Sequence, residues 1–373
     1  MEDFRFAGAM LRLLRLERDW SQETLCQGIC TVSYLSKIEQ GKVAANEELL
    51  KALFLKLDIP WEDRTEGKGK ILCQELYDLV FADDTPEIQK RMDSGALRQE
   101  SISMGMQYLD YLVLRAYCCR DKSIIQPSLL PLLNSRQLCL IQLLEGKWSE
   151  AAETFSCALT VKAAGILAYR QGDYIRAIEL LQRGYDMASD KGYARIMLLC
   201  RVFMANCYSD LHKIDSMRMH YAASRHLARA LGETEILRSI CYNEASTAVE
   251  CGDYETGYAY FSSIEELSVM DVHKLAICCE KLNRPVEAIT MLNTVKDKAQ
   301  GIEKKMCDLV MYRLKHKDYI HETEYGNMLM DTFREIRATL PAGYAKFHLS
   351  WVEEWCTANR QYRTIYELMK EFS

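Results

Sequence analysis

A short turn motif recurs along this chain, and it restricts the fold more than any other feature. It appears in GKWSEAAETF from Gly146, QGDYIRAIELL from Gln171, HKIDSMRMHY from His212, GDYETGYAYF from Gly252 and NRPVEAITML from Asn283. Aligned on Gly146, Gly172, His212, Gly252 and Asn283, the turns lie 26, 40, 40 and 31 residues apart. Such a recurrence marks helix pairs that cannot bury their apolar faces alone and must stack on neighbours. Only 6 prolines interrupt the 373 residues, which favours long helices over strands and turns. An all-α chain with a curved helical array is expected.

The first sixty residues follow another pattern. FAGAMLRLLRLERDW sets Met10, Leu11, Leu14 and Trp20 at helical spacing, with Arg12, Arg15 and Arg18 on a polar stripe. Ser21 opens SQETL, with Glu23 in the first turn, where the helix dipole favours an acid. After a tight turn through Gly28 and Ile29, Thr31 can cap VSYLSKIE, which stops at Gly41. Asn46 can cap EELLKALFLKL, which ends before Pro60. Helical spacing in VSYLSKIE turns Leu35 and Ile38 inward and leaves Thr31, Val32, Ser33, Tyr34 and Lys37 outward. Residues 1–60 carry eight Lys or Arg against nine Asp or Glu, so the segment is not basic.

SQETLCQGICTVSYLSKIEQGK resembles the helix-turn-helix of the phage-repressor class through Ser21-Gln22-Glu23, Leu25, Ile29, Ser36, Ile38-Glu39 and Gly41. Cys26 stands where that class usually has alanine, and both are small. The resemblance implies that the third helix lies in a DNA major groove with Thr31, Val32, Ser33, Tyr34 and Lys37 toward base edges, that Gln22 contacts the DNA backbone or an edge base and that Lys42 reaches a phosphate. With so few cations one such module would bind weakly, and two modules on two half-sites would compensate. The resemblance also implies that Glu39 pairs with Arg15 to hold the fold. QGDYIRAIELLQRGYDMA resembles the second half of a tetratricopeptide repeat, with Gly172, Asp173 and Tyr174 in the turn and Ala177 as the small packing residue. That resemblance implies a right-handed α-superhelix whose first helices line a concave groove. Counting back from each turn puts Arg136, Lys162, Asn206, Asn243 and Lys274 on that surface, with Tyr169 and Tyr242 beside them. Asparagine can donate to and accept from a peptide backbone at once, and Lys or Arg can take a terminal carboxylate.

Taken together, residues 1–64 are expected to form the helix-turn-helix, and residues 65–373 the tetratricopeptide-like domain, with a hinge over Arg64–Lys70. This pairing resembles the peptide-sensing transcription regulators of Gram-positive bacteria, the Rgg, PlcR, NprR and PrgX type. The resemblance implies a homodimer on a double-stranded DNA operator with two half-sites, controlled by a short signalling peptide in the repeat groove. Two alternatives stay open: a ligand-independent repressor of a mobile element, and an interaction scaffold with a vestigial helix-turn-helix. Phosphatases with similar repeats lack the DNA-binding module.

Enzyme chemistry is not expected. The chain holds no phosphate-cradling glycine loop, no Gly-x-Ser-x-Gly and no His-Glu-x-x-His, so no catalytic residue, cofactor or metal is assigned. Its 15 cysteines are scattered without a Cys-x-x-Cys, and Cys26 and Cys30 lack a second ligand pair at zinc-finger spacing. In a reducing compartment they read mainly as small buried apolar residues, with redox sensing as the alternative. Glu2 and Asp3 stand where a secretory leader would be basic, and no apolar run is long enough to span a membrane. A cytoplasmic protein without membrane contact is expected. Phe333, Tyr344, Phe347, Trp351, Trp355, Tyr362 and Tyr366 recur at helical steps as a core stripe or a dimerisation surface.

Overall fold

The computed structural model describes residues 5–58, 68–95 and 108–372, and every regular element among them is a helix. Helices α1 (Arg5–Glu17), α2 (Gln22–Cys26), α3 (Val32–Glu39) and α4 (Glu47–Lys56) come first. Three of their starts are capped by the residues the sequence marks. Ser21 accepts from the Thr24 N–H at 3.0 Å, Thr31 from Tyr34 at 3.2 Å and Asn46 from Leu49 at 2.9 Å. Each satisfies a backbone donor that has no partner inside the helix. Gly41, just past α3, takes the left-handed conformation at φ 66°. Leu11, Leu25, Leu35, Leu50, Leu53 and Phe54 form the shared core, all fully buried. α1 and α3 cross so closely at Gly8 that a Cβ there would stand 2.0 Å from the Ile38 carbonyl oxygen.

Of the expected hinge, residues 64–67 lie outside the described residues, as does the boundary at 64/65, and Lys68 already begins α5 (Lys68–Phe81). The chain divides into two compact units, Met1–Ala164 with Gln182–Met197, and Gly165–Leu181 with Leu198–Ser373. The helix-turn-helix belongs to the first unit. There α1 packs on the 3-10 turn Pro127–Leu132, whose Leu129 is buried. The same unit holds α6 (Thr85–Asp93), α7 (Tyr108–Cys119), α8 (Ser135–Leu144) and α9 (Trp148–Thr154). A polar link ties three of its helices: the Tyr77 hydroxyl and the Gln137 amide both donate to Asp110 Oδ1, at 2.6 and 2.7 Å.

Three helices, α10 (Ala158–Arg170), α11 (Tyr174–Ser189) and α12 (Ala194–Asp210), contribute residues to both units. The second unit continues through α13 (Ile214–Leu231), α14 (Thr234–Glu250), α15 (Tyr254–Phe261), α16 (Val269–Lys281) and α17 (Pro285–Val295). It ends with α18 (Gly301–Lys315), α19 (Thr323–Thr339), α20 (Ala342–Ala358) and α21 (Tyr362–Phe372). From α13 onward each helix packs on the next, and α16 also touches α14 and α18. Consecutive pairs with alternate helices in contact are the arrangement of a repeat stack.

All five turn motifs fall between the helices of a pair, and all five are built alike. Gly146, Gly172, His212, Gly252 and Asn283 have φ values of 78°, 84°, 54°, 84° and 61°. The N–H of the following residue returns to a carbonyl five positions back, as Lys147 does to Gln142, Asp173 to Ala168 and Arg284 to Cys279. That bond closes the end of the first helix and sets the direction of the second. Turns of the same form at Asp83, between α5 and α6, and at Arg360, between α20 and α21, contain no glycine.

The aromatic stripe near the C-terminus divides. Phe333 and Trp351 are core, while Tyr362 and Tyr366 on α21 are 61% and 66% exposed. α20 lies across the first helices of the second unit: His348 stacks on His273 at 5.9 Å, and Arg313 sits 4.2 Å over Trp351. Nine of the fifteen cysteines are buried and none forms a disulfide. Burial pushes thiols such as Cys73 and Cys307 up to about 12, which keeps them protonated and unreactive.

Candidate DNA-recognition face and groove cavity

The orientation of α3 is held from behind. Arg15 Nε and Nη2 donate to the two Glu39 carboxylate oxygens at 2.7 and 2.9 Å, and Nη1 donates to the Trp20 carbonyl at 2.7 Å. The pair is buried, so Arg15 leaves the polar stripe of α1 and serves instead as a pin between α1, α3 and the start of α2. With Leu35 and Ile38 also turned inward, Thr31, Val32, Ser33, Tyr34 and Lys37 are all exposed, and Lys42 is exposed beyond the helix. Val32 and Tyr34 present large apolar surface, 43% and 37% exposed, at the start of that helix. Thr31 uses its hydroxyl oxygen as the cap and keeps its proton free to donate outward. Gln22 is differently placed. Its Nε2 donates to Glu39 at 2.7 Å, so it extends the Arg15–Glu39 pair, and its amide oxygen is what remains for an outside partner.

In the second unit, five of the seven groove residues named from the sequence line one cavity of ≈ 80 Å³: Tyr169, Asn206, Tyr242, Asn243 and Lys274. They arrive from α10, α12, α14 and α16 because each stands on the first helix of its pair. Their chemistry is partly spent on one another. Tyr221 donates to Asn206 Oδ1 at 2.6 Å, and Asn243 Nδ2 donates to the same oxygen at 3.1 Å. Ser209 and Thr247 bond at 2.6 Å beside them. Lys274 is buried, 3.5 Å from Glu250, with its ammonium 3.6 Å over the Phe347 ring. Burial lowers its pKa, and the Glu250 carboxylate opposes that shift. Lys274 is thus already neutralised within the chain.

Arg136 and Lys162 belong to the first unit and do not line this cavity. Arg136 lies 4.0 Å over the Tyr77 ring, and Lys162, itself buried, pairs with Asp83 at 2.5 Å. Counting back from a turn finds the inner face of a helix but cannot find which inner residues already have partners. Sequence reasoning also passed over Asp210, Ser246 and Glu250, which line the cavity from the same helices. It missed Gly343, Tyr344 and Phe347 of α20 as well, since nothing in a repeat pattern says that a later helix returns to the inner face. Among the described residues no group of three His, Cys, Asp or Glu side chains is placed to hold a metal ion. No helix among them is long and apolar enough to cross a membrane.

Comparison with known proteins bears on the first of these two sites. Residues 11–63 match the helix-turn-helix family model. The N-terminal segment is a helix-turn-helix. That match runs from within α1 through α4 and stops short of the repeats. No curated protein matches the chain. Among solved structures, one similar chain is that of Bacillus thuringiensis PlcR in complex with the peptide PapR7 and DNA. It is 13% identical, with 77% of this chain and 99% of that chain covered, at a TM-score of 0.28. So low a score carries nothing for the repeats, which stand on their own geometry.

Proposed function

We propose that this chain is a transcription regulator that binds operator DNA through α3 as a homodimer and is controlled by a short peptide in the groove of its repeats. The observation that carries the proposal is the pinned α3 with its outer side chains exposed. Arg15 and Glu39 hold α3 from the inside, while Thr31, Val32, Ser33, Tyr34 and Lys37 face outward at its first turns. A helix presented in this way fits a major groove, with its N-terminal residues toward base edges. Pairing of two chains is supported by the charge balance. With eight basic and nine acidic residues in positions 1–60, one module offers few phosphate contacts. Control by a peptide is supported by the cavity that gathers Tyr169, Asn206, Tyr242, Asn243 and Lys274 from successive helices.

The test of the DNA face is the double variant Ser33→Ala, Lys37→Ala, measured by gel shift on DNA upstream of its own gene. Both side chains are exposed, so the melting temperature should stay unchanged while specific binding is lost. Unchanged affinity would place the recognition surface elsewhere. The test of control is operator affinity in the presence of synthetic peptides encoded beside the gene. A change of roughly 5- to 150-fold is the range that allosteric coupling commonly spans. No change with any of them, while operator binding is intact, would leave a ligand-independent repressor.

A further inference from the structure

Asp210 is the last residue of α12 and Glu250 the last of α14. A helix C-terminus carries partial negative charge from its unpaired carbonyls, so a carboxylate there has the wrong sign and a cation the right one. Both carboxylates line the ≈ 80 Å³ cavity. Glu250 has the Lys274 ammonium at 3.5 Å, whereas Asp210 Oδ2 is buried without a hydrogen-bond partner. Two more oxygens wait in the same place. Ser246, only 8% exposed, and Tyr242 line the cavity with buried hydroxyls that lie within reach of one another, neither of them in a hydrogen bond of good geometry. Buried polar groups without partners are rare and call for an explanation such as an absent ligand.

The field in the cavity says which ligand. Burial and the Glu250 carboxylate raise Asp210 to about 6, against the opposing influence of the Tyr174 hydroxyl and the Lys346 ammonium. A ligand carboxylate would meet Asp210 and two helix C-termini of its own sign, while the Lys274 ammonium in the same lining is already spent on Glu250. An ammonium would meet acceptors of the right sign and aromatic walls, whose faces attract cations. The chain itself makes both kinds of contact nearby: Lys346 donates to the Asp210 backbone carbonyl, and Lys274 sits over Phe347. The cavity suits a head group, not a whole peptide. A second cavity of ≈ 360 Å³ shares Asp210, Glu250, Gly343 and Phe347 with it and offers room for the rest of the ligand.

We propose that the smaller cavity is a subsite for a primary ammonium group, held by the Asp210 carboxylate with the Ser246 and Tyr242 oxygens. This subsite deepens the proposed role of the groove and rests on it only for the ligand's being a peptide. A peptide's α-amine and a lysine-type side chain share the chemistry.

Calorimetric titration of the full chain tests it, with n-butylamine, butyrate, trialanine, N-acetyl-trialanine and Nα-acetyl-lysine methylamide as probes. n-Butylamine should bind and butyrate should not. Asp210→Asn should weaken n-butylamine by roughly tenfold or more, the loss of one charge-assisted contact. Its melting temperature should not fall, which separates lost binding from lost folding. Ser246→Ala should give a smaller loss. Binding of trialanine but not of its acetylated form would support the α-amine as the source, and binding of the lysine amide would support the side chain. The proposal is overturned if butyrate binds as well as n-butylamine, if n-butylamine does not bind, or if Asp210→Asn binds it unchanged. A peptide that shifts operator affinity in a chain indifferent to n-butylamine would sink the subsite and leave the peptide groove standing. Asp210-dependent binding of n-butylamine with no peptide effect on DNA would uphold the subsite and sink the peptide groove.

Discussion

Glu39 accepts two hydrogen bonds from Arg15 and a third from Gln22, with almost none of its surface in water. Removing one partner of such a pair strands a buried charge, so Glu39→Ala should cost about 3–5 kcal/mol, read as a lower melting temperature in thermal unfolding. Asp210 makes the opposite prediction. Its folded pKa of about 6 lies above the ordinary 3.8, so folding favours the protonated form. The wild type is therefore relatively more stable below about pH 4, and that advantage is lost as pH rises through about 6. Asp210→Asn removes the ionised carboxylate and should be more stable than wild type by up to about 3 kcal/mol at neutral pH, one pKa unit being about 1.4 kcal/mol. Paired denaturant titrations across pH should show the gap closing in acid. His348, held down to about 3 by burial, destabilises both proteins alike on the acid side, so the difference between them is the quantity to read. The two sites also differ in how far they were legible. Arg15–Glu39 follows from a motif whose residues are all present in the sequence. The partner of Lys274 does not, because Glu250 belongs to the preceding helix pair and only packing brings them together.

At the scale of elements, helix starts and pair turns were the most legible features, because their chemistry is local. Ser21, Thr31 and Asn46 cap helices by reaching three residues ahead, and Gly146, Gly172 and Gly252 take a conformation that glycine adopts without strain. His212 and Asn283 do the same work without glycine and are legible through the likeness of HKIDSMRMHY and NRPVEAITML to the other turn segments. Asp83 and Arg360 adopt the same turn outside the five recurring segments and stay hidden. The crossing of α1 on α3 was not legible, since Gly8 inside a helix looks like a weakness. Ala is the better helix former by about 1 kcal/mol, yet the Ile38 carbonyl leaves no room for its methyl. Gly8→Ala should therefore destabilise, by about 1–3 kcal/mol net for an overpacked contact, and lower the thermal midpoint. A stabilised variant would contradict so close a crossing. The return of α20 across α14, α16 and α18 was likewise invisible, because a helix that packs on distant repeats carries the same apolar pattern as one that caps the last repeat.

For the whole molecule, the near-neutral first sixty residues matter more than any one contact. Specific affinity built from so few phosphate contacts should depend on salt with a shallow slope per module, and a pair of modules should double that slope. Anisotropy titrations of labelled operator DNA at several salt concentrations would read it, and a slope as steep as that of a strongly basic domain would speak against the surface assigned to α3. Footprinting on DNA upstream of the gene tests the central claim most directly. Two modules presenting α3 to successive major grooves should protect two stretches with centres about 10–10.5 base pairs apart, or a multiple of that. Both stretches should vanish together in the Ser33→Ala, Lys37→Ala variant. No specific protection by the wild-type chain, or protection that survives in the double variant, would contradict the account.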